Sequence, residues 1–125
     1  MSTPDQIVQR QFDAYNAKDV VGWLATYHPD AEQFALHGER LAQGHAELRS
    51  RIQVRFSEPN LHARLLSRTV MGNVVVDHEL ISRTFPEGPG QIEMLCIHEV
   101  AGEAIIKATF AVGNPTLVPS TKSAA

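Results

Sequence analysis

Apolar residues recur at helical spacing near the start of the chain. Ile7, Val8, Gln11, Phe12 and Tyr15 fall on one face of a helix that begins after Thr3. Thr3 suits the N-cap, Pro4 the first helical position, and Gln6 stands three residues after the cap, where its amide can reach back. Asn16-Ala17-Lys18-Asp19 interrupts the pattern. Asp19 can cap a second short helix carrying Val20, Trp23, Leu24 and Tyr27, which Pro29-Asp30 ends. Residues 32–37 read as a short strand, followed by a turn at Gly38. A third helix is expected over 45–57, after Gly44, with Leu48, Ile52 and Phe56 four apart on one side; Pro59 closes it.

From Leu61 the pattern changes to strands. Leu61 to Val70 is the first, Gly72-Asn73 supplies a turn, and Val74 to Phe85 is rich in β-branched residues. Pro86-Glu87-Gly88-Pro89-Gly90 reads as a loop joining antiparallel neighbours. Ile92 to Val100 and Ala104 to Val112 follow, with a turn at Gly102. Helices first and strands afterwards predict an α+β fold, with three N-terminal helices packed on a curved antiparallel sheet. The domain spans residues 1–112. The tail from Gly113 to Ala125 carries Pro115 and Pro119 among Ser, Thr and Ala, and is expected to be extended or poorly ordered.

Composition narrows the function classes. The chain has 125 residues, 43% hydrophobic and 20% charged, which fits one globular domain. A net charge of −3 with interspersed signs leaves no footprint for nucleic acid. No apolar run approaches the roughly 18–20 residues that span a bilayer, so no membrane partner is expected. The start has no basic segment followed by an apolar one, and the single cysteine, Cys96, cannot form an intrachain disulfide; together these point to the cytoplasm. With no Gly-rich phosphate loop and no Gly-x-Ser-x-Gly elbow, nucleotide binding and serine hydrolysis lack support, and no cofactor is expected. His37, His78 and Glu93 could be combined as a metal triad, but no paired-ligand spacing supports it, so no metal is expected either.

The segments Ile7-Val8-Gln9-Arg10, Asn16-Ala17-Lys18-Asp19 and Tyr27-His28-Pro29-Asp30-Ala31 resemble the opening of the nuclear transport factor 2-like superfamily, in its SnoaL-like polyketide cyclase and ketosteroid isomerase-like branches. The Ala42-Gln43-Gly44 step is similar too, as are the final strands, Leu95 to Val100 and Ile105 to Phe110. The resemblance covers about residues 5–112. It implies a cystatin-like cone: a bent sheet wraps a long helix, leaves a pocket for a hydrophobic small molecule, and forms a homodimer through the sheet's outer face. The isomerase apparatus is not matched. Its base position falls on Ala35, its helix-one tyrosine on Gln11, and its second acid near Leu95.

Strand alternation then nominates side chains for the pocket. Of the two sets in Val74 to Phe85, the more apolar one (Val74, Val76, His78, Leu80, Ser82) is expected inward. The family register favours Glu93, Leu95 and Ile97 inward on the next strand. A His78–Glu93 pair would then be the catalytic dyad, the carboxylate orienting the imidazole and raising its basicity; the competing reading is a structural hydrogen-bonded pair. Asp77 and Glu79 would point outward and pair with Arg64, Arg68 or Arg83. Gln11, Tyr15, His37, Leu95 and Phe110 are the expected ligand contacts. Cys96 reads as a small buried hydrophobe, and Trp23 and Tyr27 as core. Three functions compete: a proton-transfer enzyme of isomerase, cyclase or dehydratase type acting on a hydrophobic carbonyl compound, a non-catalytic ligand-binding domain, and a dimeric assembly module whose interior is filled.

Overall fold

Helix α1 (Pro4–Asn16) buries Ile7, Val8 and Gln11, the face that its sequence marks out. Its first turn is closed by Gln6 Oε1, which accepts from the Thr3 backbone N–H at 2.9 Å. The computed structural model describes residues 1–118. Helix α2 (Val20–Ala25) is capped by Asp19, whose carboxylate accepts from the Gly22 N–H at 3.0 Å. Asn16, just where α1 ends, clamps the helix to the sheet. Its amide donates to the Ala63 carbonyl at 2.9 Å and accepts from the Ala63 N–H at 2.8 Å.

The sheet begins earlier than the pattern predicted. Strand β1 (Tyr27–Ala35) starts directly after α2, so Tyr27 belongs to a strand and not to the second helix, and Pro29-Asp30 lies inside that strand. Strand β2 (Arg40–Gln43) is a short element that the turn at Gly38 concealed. Gly44, at φ +81°, turns the chain from β2 into α3 (Gly44–Phe56), which buries Leu48, Ile52 and Phe56 as expected. Strands β3 (His62–Met71), β4 (Val74–Phe85), β5 (Gly88–Ala101) and β6 (Ala104–Val112) complete the curved sheet in the order β2-β1-β6-β5-β4-β3. All these neighbours are antiparallel except β1 and β6, which run parallel, so the sheet is mixed. The chain between them, through β2, α3 and β3 to β5, supplies the long return that a parallel pair requires.

Residues 116–117 of the expected tail form a further strand, β7 (Thr116–Leu117), which pairs antiparallel with the start of β5. The approach is close: a Cβ on Gly90 would lie 2.6 Å from the Thr116 carbonyl oxygen, so this position needs glycine. Residues 119–125 of that tail lie outside the described residues.

Two bulges decide which side chains face inward. Leu65 and Ser67 oppose the consecutive residues Glu79 and His78, leaving Leu66 as the extra residue in β3. The alternation flips there, and Arg68 joins Ala63 and Leu65 on the inner face. On β6, Ile105 opposes Val100 and Lys107 opposes Glu99, leaving Ile106 extra. Ile105 is therefore fully buried and Ile106 partly exposed, while Ala108 and Phe110 stay inside. The core between helices and sheet is built from Ile7, Val8, Leu24, Leu48, Ile52, Val75, Ile81 and Ile105. Burying each such side chain contributes about 1.5–3 kcal/mol.

Candidate functional site

The inner face of β4 is the set expected outside. Val75, Asp77, Glu79 and Ile81 are buried, whereas Val74, Val76, His78, Leu80 and Ser82 alternate with them on the outer face. Strand β5 is reversed in step, with Ile92, Cys96, His98 and Val100 buried. Counting apolar residues misjudged β4 because its inward charges are neutralised within the fold. Arg68, turned inward by the bulge at Leu66, grips Asp77 with two hydrogen bonds, Nε to Oδ1 at 2.6 Å and Nη2 to Oδ2 at 2.8 Å. Its remaining arm donates to Gln9 Oε1 of α1 at 2.7 Å. The expected cross-strand bridge from Arg68 to Asp77 thus exists, on the inner side.

The proposed dyad does form a contact, but away from the cavity. His78 Nε2 lies 2.8 Å from Glu93 Oε1, with the side chains 38% and 61% exposed on the outer face. Water screens such a pair, which is worth about 0–1 kcal/mol. Neither residue lines the interior, so the inward placement of His78, Glu93 and Leu95 is overturned; Leu95 stands exposed beside them. His37 is exposed in the turn after β1, also off the cavity. Gln11, Tyr15 and Phe110 do line it. Among the described residues no three His, Cys, Asp or Glu side chains are grouped to hold a metal.

The cavity lies between α1, α3 and the bent sheet, with a volume of about 180 Å³. One water needs only about 10–15 Å³. Phe12, Ile52, Ile81, Ile92, Met94 and Phe110 form its apolar walls. Register sets the rows of side chains on the inner face of the sheet, part of which lines the cavity. Gln33, Ala108, His98 and Val75 make one row; Phe110, Cys96, Asp77 and Arg68 the next; Val112, Met94, Glu79 and Leu65 a third.

Glu79 is the carboxyl that faces the cavity. Burial, with Asp77 nearby as a second negative charge, pushes it up to about 7, against weaker opposing pulls from Cys96 and Arg68. Tyr15, on α1, is close enough to feel Glu79. Burial is the main reason that its phenol is pushed up to about 12, although the charge of Arg55 pulls the other way. Tyr15 also packs edge-on against Phe56, ring centroids 5.6 Å apart, which fixes its plane. Burial holds His98 down to about 4, so its imidazole is neutral at pH 7. Neither of its ring nitrogens has a protein partner among the described residues, and nor does Trp23 Nε1. Cys96 is buried, its thiol pushed well above the ordinary range by burial first and Glu79 second, which makes it inert as a nucleophile.

Sequence reasoning missed Glu79, His98 and the arginines of α3. The signal for Glu79 was present in Asp77-His78-Glu79, an acid-rich step within an apolar strand. Trp23 and Tyr27 are core residues as expected, 2% exposed each, and they also line the cavity.

A cone-shaped α+β domain with a sheltered, mostly apolar interior and, among the described residues, a single facing carboxyl is the class that this geometry defines. The chain belongs to the SnoaL-like domain family, whose model matches residues 8–108. Its fold is similar to that of an uncharacterized cystatin fold protein from Novosphingobium aromaticivorans, with 20% identity, 89% of this chain and 99% of the other covered, and a TM-score of 0.81. An NTF2-like protein of unknown function from Burkholderia pseudomallei is similar at 16% identity, with 90% and 92% covered and a TM-score of 0.78. A hypothetical protein with a ketosteroid isomerase-like fold from Catenulispora acidiphila, in complex with trimethylamine, is similar at 14% identity, with 87% and 86% covered and a TM-score of 0.74. Comparison with curated proteins finds no match. No helix among the described residues is long and apolar enough to cross a membrane.

Proposed function

We propose that this domain is a proton-transfer enzyme of the isomerase or cyclase type, acting on a hydrophobic carbonyl compound, with Glu79 as its acid–base group and Tyr15 as the donor to the carbonyl oxygen. The observation that carries this reading is the burial of the Glu79 carboxyl in an apolar cavity facing Tyr15. A carboxyl held at about 7 can both take and return a proton near neutral pH. In the step, ionised Glu79 removes a proton from the carbon next to the carbonyl. The C–H electron pair moves into the enolate, whose oxygen accepts a hydrogen bond from the Tyr15 hydroxyl. Glu79 then returns the proton to the same or a conjugated carbon, so no redox partner is required. The positive charge of Arg55 nearby strengthens the phenol as a donor.

The test uses deuterium exchange and double-bond migration in a panel of hydrophobic β,γ-enones. Glu79→Gln should lower kcat/KM by about 10²–10⁴-fold, and Tyr15→Phe by a smaller factor. The kcat/KM of the parent should rise with pH through about 7 as Glu79 ionises. Turnover unchanged in Glu79→Gln would remove Glu79 from the mechanism.

We also propose that two copies pair through the outer sheet face. Leu66 and Leu95 stand exposed there beside the His78–Glu93 pair, which then serves the interface rather than the reaction.

A further inference from the structure

The polar groups at the Gln33 end of the cavity are almost all donors. Trp23 and Tyr27 are each 2% exposed, and their rings stack with centroids 4.5 Å apart. The indole Nε1–H has no partner among the described residues. The Tyr27 oxygen accepts from Gln33 Nε2 at 3.5 Å, which leaves the hydroxyl hydrogen free to donate. Gln33 is oriented in turn by Arg51, whose Nε donates to its Oε1 at 3.3 Å. Arg51, Gln33 and Tyr27 therefore form one continuous polar strip along the wall, and they line the cavity together with the Trp23 ring.

Charge at this wall is uncompensated. Arg55 and Arg83 share the carboxylate of Glu58, at 3.4 and 2.7 Å. Arg51, at the exposed mouth, has no carboxylate within salt-bridge distance among the described residues. It also stands one helical turn from Arg55, a like-charge spacing that is unfavourable on a helix without an anion to share. Glu79, the cavity's own acid, is three strands away from Gln33 in the sheet.

We infer that the ligand is a hydrophobic carboxylate, its charged end held by Arg51 at the mouth with the Tyr27 donor alongside, and its apolar body running between Phe12, Ile52 and Phe110 toward Glu79. This rests on the cavity being a ligand site, and it adds the substrate class to that reading. A carboxylate gives the Tyr27 hydroxyl an acceptor and supplies the anion that Arg51 lacks. A neutral ligand does only the first. The separation of Arg51 from Glu79 places the reacting carbon several bonds from the acid group.

The test is calorimetric titration with 4-phenylbutanoate and cinnamate, each against its own methyl ester, at about pH 7.5. At least one acid should bind about tenfold or more tightly than its ester, the range expected when charge-assisted hydrogen bonds are lost. Arg51→Gln, a change at an exposed position that should leave the fold intact, should equalise acid and ester. Tyr27→Phe should weaken the acid more than the ester. Glu79→Gln should keep the preference for acid, so a failed proton-transfer assay and a failed carboxylate site are separable. Equal binding of acid and ester, binding of neither, or a preference that survives in Arg51→Gln would overturn the assignment.

Discussion

Replacing Glu79 by Gln should change how stability depends on pH, by an amount that the structure sets. The carboxyl is raised from 4.5 to about 7 by burial and by Asp77. A group raised on folding binds its proton more tightly in the native state. Its contribution to stability is fully present below about pH 4.5 and is lost as pH rises through about 7. A rise of this size corresponds to about 3 kcal/mol. Glutamine has nearly the same shape and cannot ionise, so the variant keeps what the parent loses. Urea unfolding of both proteins at several pH values between about 4.5 and 8 measures the difference. The variant should gain on the parent by up to about 3 kcal/mol across that window, which for a domain of this size is roughly 10 °C in Tm. His98 is common to both proteins and cancels. Its own contribution has the opposite sign, since burial lowers it to about 4: it is present above about 6.5 and lost as pH falls through about 4. Two unfolding profiles separated by a constant offset at every pH would show that Glu79 titrates as an ordinary surface acid, and the case for it as the acid–base group would fail with it.

Two further outcomes follow from the same geometry. Arg68→Ala leaves the fully buried Asp77 carboxylate without its partner and should cost about 3–5 kcal/mol in urea unfolding; a loss under 1 kcal/mol would mean that water reaches Asp77. On the outer face, His78→Ala and Glu93→Gln should leave enone turnover unchanged. Leu95→Arg should instead abolish any dimer seen by sedimentation; a dimer that persists in Leu95→Arg would place the interface elsewhere.

The helices and the order of elements were legible because local signals and tertiary packing agree there. Thr3, Pro4 and Gln6 start α1, Asp19 caps α2, and Leu48, Ile52 and Phe56 form the buried stripe of α3, all as their spacing implied. The start of the sheet was less legible. Pro29-Asp30 reads locally as a stop, yet β1 runs through it, because Tyr27 pairs with Ile105 in a partner strand almost eighty residues away. Short-range chemistry carries no information about such a partner. The parallel β1–β6 pair was hidden for the same reason, whereas the four-residue β2, which pairs with its neighbour β1, was concealed by the turn at Gly38.

The reversal of β4 has a different cause, and it bears on function. Alternation correctly split the strand into two sets. The choice between them rested on hydrophobicity, which assumes that charge faces water. Here one inward acid, Asp77, is paired by Arg68, and that pairing depends on a single extra residue, Leu66, that re-aims the arginine. The second inward acid, Glu79, has no cation bound to it among the described residues; burial raises it toward neutrality instead. A stability-driven sequence would place an apolar side chain at both positions. Sites that keep an ill-matched group in the interior are where pattern and structure part, and they are also where chemistry is found. The misplacement of β4 and the nomination of Glu79 are therefore one fact. If an apolar residue at position 79 left turnover intact, the buried carboxyl would have no work left to explain its place in the strand.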